Sequence, residues 1–120
     1  MSAANPPGLD ELRDALRQFA AERDWDKFHS PKNLASALSV EAAELLERFQ
    51  WLTEDESRSL SPPDRARVSE EMADVLNYLV RLADKLDVDL LDAARQKMQL
   101  NAQKYPVEKS RGSAKKYSEL

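Results

Sequence analysis

Cysteine is absent from the 120-residue chain, histidine occurs once, as His29, and glycine only twice. The first absence excludes disulfides and thiolate–metal sites. The second scarcity excludes a multi-histidine zinc centre. Any bound metal must therefore be held by oxygen, which suits magnesium, with manganese as a substitute. Two glycines, three phenylalanines and three tyrosines are few for an all-β protein. No apolar stretch approaches the ~20 residues of a membrane span. There is no excess of positive charge either: the formal net charge is −4, which disfavours a polymeric nucleic-acid partner. The opening, MSAANPPGLDEL, lacks the charged and apolar regions of a signal peptide. From these absences we expect a cytoplasmic protein with neither membrane nor nucleic acid as partner.

What is present favours helices. Ala, Leu, Glu, Asp, Lys and Arg dominate. The length suggests one domain, residues 1–120. Prolines at 6, 7, 31, 62, 63 and 106 punctuate four helical stretches, at about 9–23, 31–51, 63–86 and 87 or 89 to 104. Ser30-Pro31 and Ser61-Pro62-Pro63 read as helix starts, a capping serine followed by proline in the first turn. Short links predict an antiparallel four-helix bundle. Residues 106–120 have no apolar period, carry most of their charge as Lys and Arg, and read as an irregular basic tail.

One short pattern occurs twice. Glu41-Ala42-Ala43-Glu44-Leu45-Leu46 aligns with Glu71-Met72-Ala73-Asp74-Val75-Leu76: acid, two spacers, acid, two aliphatics. Acids three apart mean little in a chain with 22 of them, so phase decides. With each residue advancing about 100°, Glu41 and Glu44 lie about 60° and 120° from the row Leu34, Leu38, Ala42, Leu45, Phe49. Glu71 and Asp74 take the same offsets, to the same side, from Val68, Met72, Val75, Leu79 and Leu86. Glu11/Asp14 and Asp89/Asp92 lie opposite their apolar rows and read as solvated faces. If the second and third helices pack antiparallel, the two acid pairs face each other at the core's rim. Unpaired carboxylates that close repel and are costly to desolvate. Either a divalent cation sits between them or lysines and arginines neutralise them.

Lys97, Asn101 and Lys104 recur at i, i+4, i+7 beside the apolar residues Leu90, Leu91, Ala94 and Met98 of the fourth helix. They are ordinary surface residues or, beside metal-held carboxylates, polyphosphate contacts. Trp25 and Trp51, at helix ends, either close the core or stack on a base. His29, in the connector, reads as a loop or cap residue rather than a catalyst.

The stretches AERDWDKFHSPKNLASALSVEAAELLERFQW, EEMADVLNYLVRLADKL, KMQLNAQKYP and GSAKKYSEL together resemble the MazG-like nucleotide pyrophosphohydrolases, on the branch of the dCTP pyrophosphatases. The resemblance runs from about Leu9 to Leu120 and implies an all-α protomer assembling as a homodimer or homotetramer, with sites near subunit boundaries. It implies a magnesium-dependent, house-cleaning enzyme that splits a (deoxy)nucleoside triphosphate into monophosphate and pyrophosphate. The family's metal and catalytic acids carry onto Glu41, Glu44, Glu71 and Asp74, its base pocket onto Trp25, Trp51 and Tyr78, and its phosphate contacts onto Lys97, Asn101 and Lys104. From the basic segment RGSAKKY we expect Arg111, Lys115 and Lys116 to order over bound triphosphate. Two positions depart from the pattern. Val40 stands where a doubled acid is usual. Leu16 stands where the animal dCTP type has histidine, which removes a polar contact near the base. Alternatives are a phosphoribosyl-ATP or dUTP pyrophosphohydrolase, or a non-enzymatic helical oligomerisation module using the same stripes as ion pairs.

Overall fold

A computed structural model describes residues 8–120; Pro6, Pro7 and the rest of the leading segment read above lie outside the described residues. Among the described residues the structure is helical, with turns and no strand. The long helices are α1 (Leu9–Glu22), α2 (Pro31–Glu47), α4 (Pro62–Lys85) and α5 (Leu90–Lys104). Two single-turn helices, α3 (Glu54–Ser57) and α6 (Val107–Ser110), sit in the link between α2 and α4 and in the expected basic tail.

The helix starts follow the sequence signals. Ser30 Oγ accepts from the Asn33 amide at 3.1 Å, and Ser61 Oγ from the Asp64 amide at 3.3 Å. Asp89, one of two candidate caps for α5, accepts from the Asp92 amide at 3.0 Å. Each satisfies a donor that a helix start leaves open. α3 exists because Thr53 and Glu56 form a reciprocal capping box.

The helix ends show how a glycine-poor chain stops a helix. α1 and α4 each close with a residue in the left-handed region, Asp24 and Asp87, both at φ 54°. The next amide then bonds back five residues, Trp25 to Ala20 and Val88 to Ala83, both at 2.9 Å. This is the Schellman arrangement, with aspartate in glycine's usual place. α2 ends at Glu47 rather than Trp51: the amides of Arg48 and Phe49 bond three residues back, tightening the chain into turns.

The chain forms two compact units, one ending at Val88, the other Asp89–Leu120. In the first, α4 packs on both α2 and α1. α2 and α4 are antiparallel, because Arg48 after the end of α2 reaches Glu71 while His29 before its start meets Arg81. Ala20, Leu34, Val68, Val80 and Ala83 are buried in the core.

α4 departs from the expected row. Met72, Leu79 and Leu86 are exposed, and Leu76 with them. The inner face instead runs Val68, Glu71, Val75, Tyr78, Leu82. The helix thus carries two apolar rows, of which one is covered among the described residues. The expected row averaged the two, so Glu71 sits further inward than its offset implied.

In the second unit the tail is not irregular. After α6 a short 3-10 turn at Tyr117–Glu119 brings Tyr117 edge-on to Tyr105, ring centres 6.0 Å apart. Lys104 Nζ lies 5.0 Å over the Tyr117 ring. A cation over an aromatic face and a T-shaped ring pair are both favourable contacts.

Candidate functional site

α2 presents Glu41 and Glu44 one turn apart, and antiparallel α4 presents Glu71 at their level. One carboxylate oxygen from each of Glu41, Glu44 and Glu71 lies within 4.8 Å of the others, and all three side chains are half-buried. Oε2 of Glu41 and Oε2 of Glu71 are buried without a hydrogen-bond partner. The other Glu71 oxygen faces Arg48 Nη2 at 3.4 Å. Among the described residues no other cation pairs with these acids. Asp74, one turn beyond Glu71, is exposed and stands outside the three-oxygen group, yet its charge reaches Glu41.

The electrostatic consequence falls on Glu41. Burial, then the hydrogen bond and charge of Glu44, then the charges of Asp74 and Glu71, push its carboxyl up to about 7 from an ordinary 4.5. The cluster thus keeps a proton on Glu41 well above the usual carboxylate range, since the alternative is another close, partly desolvated negative charge. Hard oxygen donors, two of them orphaned, fit a divalent cation that prefers carboxylate and water ligands. Among the described residues, neutralisation by this chain's own lysines and arginines, the other reading of the pattern, is limited to Arg48.

Trp25 precedes α2 and Trp51 follows it, so the two stand off opposite ends of a 17-residue helix about 25 Å long at ~1.5 Å per residue. Trp51 is 86% exposed, so it is no core residue. Trp25 is 45% exposed, with its ring edge-on to Phe19 at 5.8 Å. Phe19 is covered on a face by the Arg23 guanidinium, 3.6 Å from the ring centre. Tyr78 and Leu16 are half-buried, and Val40 is exposed. Lys97, Asn101 and Lys104 share one exposed face of α5 in the second unit, and Arg111, Lys115 and Lys116 lie between α6 and the final turn.

One feature escaped the sequence reading. Arg81 is buried, its side chain 5% exposed, and donates to Asp26, His29 and Asp84. Its partners in the connector are 55 and 52 positions away, so no local pattern pairs them. His29 Nδ1 accepts from Arg81; burial first, and then that guanidinium, lower its pKa. His29 is thus a neutral, structural histidine.

The MazG-like family matches over residues 36–120. The dCTP pyrophosphatase 1 of Mus musculus is 49% identical over 116 residues, 95% of this chain and 68% of that protein. Its counterpart in Bos taurus is 47% identical over 121 residues, 99% of this chain and 72% of that protein. A crystal structure of a pyrophosphatase from Archaeoglobus fulgidus DSM 4304 aligns with TM-score 0.78 and 42% identity, covering 88% of this chain and 99% of that one.

Proposed function

The chain belongs to the MazG-like family and is a nucleotide pyrophosphatase; from that premise we propose that it hydrolyses deoxynucleoside triphosphates, dCTP and its modified forms among them, to the monophosphate and pyrophosphate. Its role is then removal of surplus or non-standard deoxynucleotides. The observation that carries this reading is the cluster of Glu41, Glu44 and Glu71 with its two orphaned buried oxygens.

Glu41, Glu44 and Glu71, with Asp74 beside them, would hold magnesium. When bound, the cation neutralises phosphate charge and acidifies a water. The chain's own groups do the rest. Glu71 is aimed by Arg48, which fixes one oxygen and leaves the other for the site. Asp74, more exposed than the other acids, takes the proton of the attacking water. The water oxygen bonds to the α-phosphorus as its bond to the bridging oxygen breaks, and pyrophosphate leaves. Lys97, Asn101, Lys104, Arg111, Lys115 and Lys116 receive the negative oxygens.

Trp25 stacks on the base, and Tyr78 lines the same pocket. Trp51 serves a neighbouring protomer, since it stands at the far end of α2. A homodimer or homotetramer is also what the outer row of α4 calls for: Met72, Leu76, Leu79 and Leu86 leave apolar surface to be covered. Within the assembly, residues 1–120 work as one domain, with residues 106–120 its basic tail.

The test is a panel with product identification: dCTP, 5-modified dCTP, the other deoxynucleotides, dUTP and phosphoribosyl-ATP, each with and without magnesium. We expect magnesium-dependent release of pyrophosphate from deoxynucleotides. Preference for phosphoribosyl-ATP or dUTP reassigns the substrate. No turnover of any triphosphate overturns the reading in favour of an oligomerisation module.

A further inference from the structure

We propose that Arg81 is a positioning residue for nucleotide selectivity: through Asp26 and His29 it holds the α1–α2 connector so that Trp25 presents its ring to the base. The proposal rests on the base-stacking reading of Trp25.

The connector is held from two sides. On one side α1 ends in the Schellman turn at Asp24, whose following residue is Trp25 itself. That motif is commonly accompanied by an apolar contact back to the last turn, here Trp25 against Phe19. On the other side stands α4. Arg81 Nη2 donates to Asp26 Oδ1 at 2.9 Å, and Lys85 Nζ to the same oxygen at 2.5 Å. Nε and Nη2 of Arg81 lie 3.3 and 3.1 Å from His29 Nδ1. Asp84 holds the guanidinium at 3.5 Å and is itself gripped by Arg17 of α1 at 2.5 and 3.1 Å. Lys85 first, and Arg81 with it, hold the Asp26 carboxyl below the usual range, while Arg17 does the same for Asp84. One buried fork thus joins α1, the connector and α4.

The connector's side chains divide accordingly. Asp26 and His29 turn to the fork, whereas Trp25 and Phe28 are left 45% and 59% exposed. Two aromatic rings face outward while Asp26 and His29, the residues that follow them, bond to Arg81. A planar guanidinium is preorganised for this, because it presents several donors in fixed directions. A surface turn needs no buried arginine for stability alone, since a buried ion pair is weak support for a fold.

The test uses the full-length enzyme with dCTP as substrate and inorganic tripolyphosphate as a base-free inhibitor. The variants are Asp26→Asn, Arg81→Lys, Trp25→Ala and the double variant Trp25→Ala/Asp26→Asn. Asp26→Asn alters an exposed group and keeps the core, so it remains informative if Arg81→Lys fails to fold. We expect Asp26→Asn to raise KM for dCTP about tenfold with kcat within about twofold, the signature of lost binding rather than lost chemistry. Inhibition by tripolyphosphate should stay unchanged. In the Trp25→Ala background Asp26→Asn should add nothing, since both remove one interaction. The inference is overturned if Trp25→Ala raises KM while folded Asp26→Asn does not, or if tripolyphosphate weakens in parallel. A Trp25→Ala variant with unchanged KM removes the base-stacking reading itself, and the inference with it.

Discussion

Glu41 and Glu71, on antiparallel helices, each turn one carboxylate oxygen into the protein where nothing donates to it. Two buried acceptors left open are costly unless a cation completes them. Glu71→Gln keeps the shape and removes one charge. We expect it to fold, to lose turnover by a hundredfold or more (on the order of a catalytic metal's contribution) and to lose its magnesium response. Without metal it should be no less stable than the parent, because repulsion is relieved. Parent-like turnover with an unchanged magnesium requirement would refute the carboxylate site.

Glu41 makes cation binding pH-dependent. With its pKa pushed up to about 7, a proton and a cation compete for the same carboxylate. Magnesium affinity should be level above about pH 7 and fall about tenfold per unit below it. Stability has the opposite sense. A carboxyl raised in the folded state contributes fully below its unfolded value, 4.5, and that contribution is lost as pH rises through about 7. The metal-free protein should therefore lose stability across that window, and Glu41→Gln should flatten it. Thermal melts from pH 4.5 to 8, with and without magnesium, check both. At 100 times its dissociation constant the cation should add about 2.7 kcal/mol.

Subunit mixing tests the placement of Trp51. Trp51→Ala should weaken substrate binding by about ten- to a hundredfold, with slow turnover and magnesium dependence kept. Mixed and exchanged with inactive Glu71→Gln chains, it should regain activity at low substrate, since some sites then combine an intact acid cluster with an intact indole. If mixing yields no more than Trp51→Ala alone, Trp51 acts within its own chain.

Removing the tail beyond Val107 should raise KM about tenfold or more while the first unit stays folded, because charged phosphate contacts are lost. Tyr117→Ala tests the anchor alone. It frees Lys104 from the ring, and its effect should be smaller than the truncation's. Unchanged kinetics in the truncated protein exclude the tail from substrate binding.

Much of this was legible locally. Ser30-Pro31 and Ser61-Pro62 mark helix starts because capping and proline placement act over three or four residues. That Glu41, Glu44 and Glu71 border buried rows was legible because helical rotation is uniform, but the inward shift of Glu71 was not, because two apolar rows on α4 blur its phase. Thr53-Glu54-Asp55-Glu56 also spells a capping box, so the single turn of α3 was open to local reading as well. What could not be read depends on distance or on partners. Arg81 looks like a solvated charge until a connector more than 50 residues away folds onto it. Trp25 and Trp51 look alike as helix-end aromatics, and only the length of α2 separates them.

The two rows of α4 bear on how variation in this chain would be interpreted. Val68, Val75 and Leu82 share their periodicity with Met72, Leu79 and Leu86, offset by four residues, about 40° around the helix. A saturation mutagenesis map of the helix should accordingly split into two interleaved sets. Polar substitutions in the first set should abolish soluble expression. The same substitutions in the second should leave expression intact and make specific activity fall on dilution. Scored by expression alone, the second set would pass as neutral.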